Sequence, residues 1–222
     1  ADNLDLLLGL LAPARGCLLL NGEVLVGAAD TGRDAPSAET ARTRLRHWQR
    51  SVGYVPQATL LLEESVAANI AFGIDAGQID MQKVERAARQ AQIHDFIVSG
   101  LSAGYHTVIA REGLKLSGGQ QQRIGIARAL YHDPAVLILD EASSALDLQT
   151  ETRLLECLLA LADKTLVFVS HKANVAAHCD QVLVIDEGRI RDLTTYHALL
   201  EVDNPYRHLL ENDPAASQGE AR

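Results

Sequence analysis

Short apolar runs set between polar stretches predict most of the elements. Leu4, Leu7, Leu8 and Leu11 recur at helical spacing and predict an N-terminal helix ending at Ala12-Pro13. Leu18 to Leu20 and Val24 to Val26 flank Asn21-Gly22, a hairpin turn signal. Residues 27 to 47 turn polar, first Gly/Asp/Ala/Thr-rich and then Arg-rich, and predict a solvated loop leading into a short helix. Ser51 to Pro56 reads as a strand stopped by proline. Residues 65 to 104 read as mostly helical, with Glu63 or Ser65 capping the first helix and Ile79 or Asp80 opening the second. A further helix is expected over 119 to 131, with Ile124, Ala127 and Leu130 on one face.

From residue 135 the pattern changes. Val136 to Leu139, Leu166 to Val169 and Val182 to Ile185 are continuous aliphatic runs, Thr150 to Leu161 is an amphipathic helix between the first two, and Glu187-Gly188 turns the chain back after the third. Strands without polar alternation, separated by helices, predict a parallel α/β sheet covered on both faces. Beyond about Asn212 large apolar residues cease, which predicts a disordered tail.

Composition narrows the classes. The chain has 222 residues, 47% of them hydrophobic, enough to bury a sizeable core. Its aliphatic runs are far shorter than the roughly 18 residues of a membrane span. A formal charge of −9 disfavours generic binding to nucleic-acid phosphates. Cys17, Cys157 and Cys179 are scattered and odd in number, which predicts reduced thiols and a cytosolic setting. No basic leader opens the chain and Met81 is its single methionine, so a fragment is expected.

Candidate chemistry sits at the ends of the predicted elements. In Leu116-Ser117-Gly118-Gly119-Gln120, Ser117 can cap a helix whose first turn is glycine-rich. Free N–H groups and the positive end of the helix dipole suit an anion there, although a glycine pair can also simply begin a tightly packed helix. The strand ending in Asp140-Glu141 delivers two carboxylates to the edge where open α/β sheets bind ligands. The first can hold Mg²⁺ directly or through water, and the second can orient or deprotonate an attacking water. Such a pair can also be an ordinary solvated turn. Gln57 follows one strand and His171 another, near the same edge, and Asp147 follows in Ser144-Ala145-Leu146-Asp147.

In order and spacing this set resembles the ATPase domain of ATP-binding-cassette (ABC) transporters. Leu116 to Gln120 matches the signature motif, Leu137 to Glu141 the Walker B strand with its catalytic Glu, Ser144 to Asp147 the D-loop, His171 the switch histidine and Gln57 the Q-loop. The resemblance implies a P-loop NTPase fold: a three-layer α/β core with a mainly parallel sheet and an inserted α-helical subdomain. The core would span 1–57 and 131–200, the helical subdomain 58–130, and a C-terminal helix and tail 201–222. It further implies ATP with Mg²⁺, with Asp140 and Gln57 serving the metal and the attacking water. Glu141 would be the general base, and His171 would hold the γ-phosphate and water in register. Ser117, Gly118, Gly119 and Gln120 would grip ATP bound to a second such domain, and Asp147 would link the two halves. The implied partners are that second domain, identical or not, and a transmembrane domain on the same or another chain, with the ATPase domain at the cytoplasmic face of a membrane. Glu64 to Gly73, Gly104 to Val108 and Thr150-Glu151 resemble the exporter branch. Ala110-Arg111-Glu112-Gly113 transposes the Glu and Arg of that branch.

A P-loop, G-x-x-x-x-G-K-[ST], is missing: the lysines are Lys83, Lys115, Lys164 and Lys172, and none follows a glycine. The family's first strands and adenine-stacking aromatic are also missing. The resemblance implies a chain beginning about where that motif ends, with Ala1 and Asp2 at its two hydroxyl positions. Two other readings stay open. A non-hydrolysing partner would keep the signature side of one composite site. A DNA-repair or chromosome-maintenance ATPase would share the motifs, but would place a long coiled coil between Gln57 and Ser117, which here lie 60 residues apart.

Overall fold

The computed structural model describes residues 2–27, 37–109, 116–143, 145–201 and 204–207. The elements run α1 (Asp2–Leu7), β1 (Cys17–Leu20), β2 (Glu23–Gly27), α2 (Ala38–Ser51), β3 (Val52–Val55), α3 (Val66–Ile70), α4 (Met81–Gln90), α5 (His94–Gly100) and α6 (Gly118–Tyr131). They continue with β4 (Val136–Asp140), α7 (Leu148–Leu159), β5 (Thr165–Val169), α8 (Ala173–Ala176), β6 (Val182–Asp186), β7 (Arg189–Thr194) and α9 (Tyr196–Leu199). Among the described residues no helix is long and apolar enough to cross a membrane.

The functional core is a parallel sheet in the order β3-β4-β5, with β4 central. Val55 pairs with Leu139, and Asp140 with Val169, so the three strands end together. Side chains on a strand alternate between faces. Ile138 packs under Leu4 of α1 and Leu8 just past it, with Val52, Val136, Val167 and Val169 around them. On the opposite face Leu137 and Leu139 join a larger cluster that includes Ile124 and Ala127 of α6 and Leu154 and Leu158 of α7. Helices therefore cover both faces, which is why β4 carries almost no polar residue until its end. The larger cluster runs without a break into the helical segment through Val66, Ile70, Val84, Ile93 and Ile97.

Local chemistry sets the boundaries. Ser65, Asp80, Ser117 and Asp147 each cap a helix with a side-chain oxygen. The N-terminal helix stops at Leu7, not at Ala12-Pro13. Gly9 takes φ +66°, and the Leu10 and Gly9 N–H groups donate to Asp5 O and Leu6 O at 2.8 and 3.0 Å, closing the helix in a Schellman turn. The helix after the polar loop is longer than expected, 14 residues capped by Ser37, and its Trp48 Nε1 donates to the Leu7 carbonyl at 2.7 Å.

The run at 182–186 is a correction. It does not extend the parallel sheet: β6 pairs antiparallel with β7 in a separate hairpin. Glu187 and Gly188 both take positive φ, which builds the two-residue turn that reverses the chain at once. The loop residues 28–36, the segment 110–115 with the transposed Glu and Arg, Ala1, Ser144 and most of 201–222 lie outside the described residues. Within the last of these, 205–207 form a turn.

Candidate active site

The ends of β3, β4 and β5 bring four separated residues together. Gln57 lies just past β3, Asp140 ends β4, Glu141 follows it, and His171 lies just past β5. Gln57 Nε2 donates to Glu141 Oε2 at 2.6 Å, and His171 Nε2 lies 3.3 Å from Glu141 Oε1. Glu141 is thus gripped from both sides by polar groups of the neighbouring strands. Its backbone adopts φ +47°, while its N–H still donates to Val169 O at 2.9 Å. A left-handed residue with a Cβ is strained by about 1 kcal/mol or more. That turn breaks the strand alternation, so two consecutive carboxylates both serve the same sheet edge.

Asp140 sits on the α1 face and accepts a hydrogen bond from the Tyr54 hydroxyl at 3.3 Å. Burial raises the Tyr54 phenol above its ordinary range, and the Asp140 charge raises it further, so it stays a donor. Among the described residues no cluster of three or more His, Cys, Asp or Glu could cage a metal. The donor set fits Mg²⁺ all the same: this ion takes one or two carboxylates and fills the rest of its octahedron with phosphate and water oxygens. Asp140 offers the carboxylate, and Gln57, whose amide N–H faces Glu141, has its amide oxygen to offer.

A second group forms around the start of α6. Ser117 Oγ accepts the Gln120 N–H at 3.2 Å, while Gln120 Oε1 accepts the Ser117 N–H at 2.8 Å, a reciprocal capping box. Gly118 and Gly119 face the turn after β4. A Cβ on Gly119 would lie 3.0 Å from both Ala145 O and Leu146 Cδ2, so packing within the chain already disfavours a side chain there. A Cβ on Gly118 would make an ordinary 3.4 Å contact with Ala145 Cβ. Packing leaves Gly118 free to be another residue, and it is exposed. Asp147 caps α7 through Thr150 N–H at 3.0 Å, and that bond holds its carboxyl below the usual range. Burial pulls the Arg123 guanidinium down, an effect that Asp147 opposes.

The helix α6 and the segment after β3 are tied together. The Gln122 side chain is 3% exposed, and its Nε2 donates to Pro56 O at 3.1 Å. Thr59 Oγ1 donates to Gln122 Oε1 at 3.4 Å.

The sequence model of the ABC transporter family matches residues 3–144, more than half the chain. The chain belongs to the ABC transporter family. The uncharacterized ABC transporter ATP-binding protein YfiB of Bacillus subtilis is 42% identical over 164 residues, 74% of this chain and 28% of that protein. The ATP-dependent lipid A-core flippase of Ralstonia nicotianae is 36% identical over 199 residues, 89% of this chain and 31% of the flippase. The solved structure of a bacterial Atm1-family ABC exporter with ATP bound superposes with a TM-score of 0.79 at 33% identity, covering 98% of this chain and 34% of that one. The chain thus spans 28% and 31% of the two curated relatives and 34% of the solved exporter. The α/β fold of the P-loop NTPases expected from the sequence is the fold found.

The candidate residues singled out from the sequence fall into two groups. Gln57, Asp140, Glu141 and His171 gather at the sheet edge. Ser117, Gly118, Gly119, Gln120 and Asp147 gather at the start of α6, and the turn between Glu141 and Asp147 joins the groups. Sequence reasoning missed Tyr54 and Gln122. A glutamine inside an otherwise apolar helix face was the signal for the second.

Proposed function

We propose that the chain is the ATP-binding and ATP-hydrolysing domain of an ABC exporter, and that two such domains close on Mg-ATP to drive export across a membrane. The observation that carries this reading is Glu141, held by Gln57 at 2.6 Å and by His171 at 3.3 Å at the common end of three parallel strands. Glu141 takes the proton of a water that attacks the γ-phosphorus, as the bond to the β,γ-bridging oxygen breaks to leave ADP. His171 and Gln57 orient that water and hold the Glu141 carboxylate in place. Asp140 and the Gln57 amide oxygen would hold Mg²⁺, which would supply positive charge against the phosphates. Ser117, Gly118, Gly119 and Gln120 present N–H groups to the γ-phosphate of ATP on the second domain, and Asp147 meets that domain alongside them. Exposed Gly118, which no contact within the chain requires to be glycine, supports that assignment.

In this reading residues 1–57 and 131–200 form the core and 58–130 the helical subdomain. The transmembrane domain lies on the same or another chain and keeps the ATPase at the cytoplasmic face. The relatives named as a flippase and an exporter support the direction of transport. These 222 residues contain no glycine–lysine pair to reach the phosphates, so this polypeptide alone binds ATP weakly and does not turn it over. The test is ATP hydrolysis by the full-length protein with and without Glu141→Gln. Loss of turnover with ATP still bound is expected, and turnover surviving the substitution would refute the assignment.

A further inference from the structure

Lys172 follows His171 directly, and its half-buried side chain turns the ammonium onto a buried carboxylate. Nζ donates to both carboxylate oxygens of Glu151, at 2.8 and 2.9 Å, and to Ser143 O at 3.4 Å. Glu151 lies on α7 and is 3% exposed, so its charge is buried against this one ammonium and the neighbouring chain. Ser143 O also accepts the Leu146 N–H at 3.1 Å, closing the turn that carries Ala145. On the other side, Lys172 N–H donates to Ser170 Oγ at 3.1 Å. A single ammonium therefore joins three stretches: the chain past β5 with His171, the turn between Glu141 and Asp147, and the first turns of α7.

Beneath that turn is a small open cleft of about 30 Å³ lined by Leu139, Leu154, Leu155 and Phe168, with Glu141 and Glu151 also on its wall. A turn lying over a cleft lacks the close packing that fixes a core segment. Polar ties take over that task here. The far end of the same turn is where Gly119 approaches Ala145 O.

We propose that Lys172 and Glu151 are positioning residues: they hold His171 and the Ser143–Asp147 turn in one register, so that the half-site on Glu141 and the half-site on Ser117 move together. This rests on the function proposed above. Neither residue touches the nucleotide, and each acts through a neighbour.

The test uses the full-length protein and two measurements, hydrogen exchange at the amides of 145–147 and 170–173, and steady-state ATP hydrolysis. Neutralising Lys172 alone would leave the buried Glu151 charge unpaired and can unfold the domain. The variants are therefore Glu151→Gln, the neutral double variant Glu151→Met with Lys172→Met, and the conservative Lys172→Arg. For the first two, exchange at both stretches rises about tenfold or more and kcat falls about tenfold, while KM for ATP stays within about twofold. Lys172→Arg restores both, because its fork still reaches both carboxylate oxygens. Exchange at the wild-type level in the folded double variant overturns the proposal. Raised exchange with unchanged kcat overturns it too, because the pair would then be structural alone. Wild-type protein that hydrolyses no ATP would refute the proposed function, and the exchange arm would still decide whether the pair ties the two segments.

Discussion

Replacing Gly125 by Ala should destabilise the domain, against the helix preference of alanine. Gly125 lies inside α6 and is buried. A Cβ built there would run into Thr59 Oγ1 and would lie 2.7 Å from its Cγ2 and 3.1 Å from its Cβ. Alanine gains about 0.8–1 kcal/mol over glycine in a helix interior. Forcing Thr59 aside overpacks the site, at about 1–3 kcal/mol. Losing the Thr59–Gln122 hydrogen bond adds about 0.5–1 kcal/mol. The balance is a net loss of about 1–2 kcal/mol, because the overpacking and the lost bond together outweigh the helix gain. Thr59→Ala removes the two nearest atoms, so Thr59→Ala with Gly125→Ala should recover most of the loss. The coupling in the double-mutant cycle should be about 1–2 kcal/mol. Urea unfolding followed by far-UV circular dichroism reads it, provided the slope m is unchanged. A Gly125→Ala variant as stable as wild type or more so, or a cycle without coupling, would refute the close approach of the Q-loop segment to α6. That approach matters because Gln57 is on the same segment.

Two further predictions follow from the site and the core. Ser117→Ala should lose about 1 kcal/mol of stability through its cap, while Ser117→Asp keeps the cap but sets a negative charge against the triphosphate. Unfolding curves and ATP-dependent dimerisation separate the two roles: the Asp variant should be stable and fail to dimerise. Burial, with Glu85 nearby, holds the Tyr105 phenol neutral up to about 12. The unfolded chain releases that proton near 10 and so binds fewer protons between the two values, which makes stability fall as pH climbs through that window. Tyr105→Phe loses the 2.7 Å bond to His94 Nδ1 but should flatten that part of the pH profile in urea unfolding.

Much of this was legible in the sequence because the signals were local. The aliphatic run Val136 to Leu139 reads as a strand whatever it packs against, and Ser117 and Asp80 announce their helices through caps that span three residues. The misread boundaries came from single backbone angles. Gly9 at φ +66° ends α1 early, although the leucine spacing continues. Val182 to Ile185 has the composition of a central strand, and nothing in that composition says which neighbour it pairs with. The Glu187-Gly188 turn makes the choice, and β7, with Arg189, Arg191 and Asp192, is too polar and exposed to read as a strand. Least legible were the long-range polar ties. Gln122 to Pro56 and Lys172 to Glu151 join residues on different elements, and no periodicity in either element marks its partner.

At the centre of the account is one claim, that the carboxylate edge of one copy and the glycine-led helix start of another complete a single ATP site. The direct measurement mixes full-length protein carrying Glu141→Gln with protein carrying Gly118→Asp and follows a single round of ATP hydrolysis. In mixed dimers one site collects both defects and the other is intact, so about a quarter of all sites should fire while either variant alone is silent. A mixture as silent as its components would contradict the account.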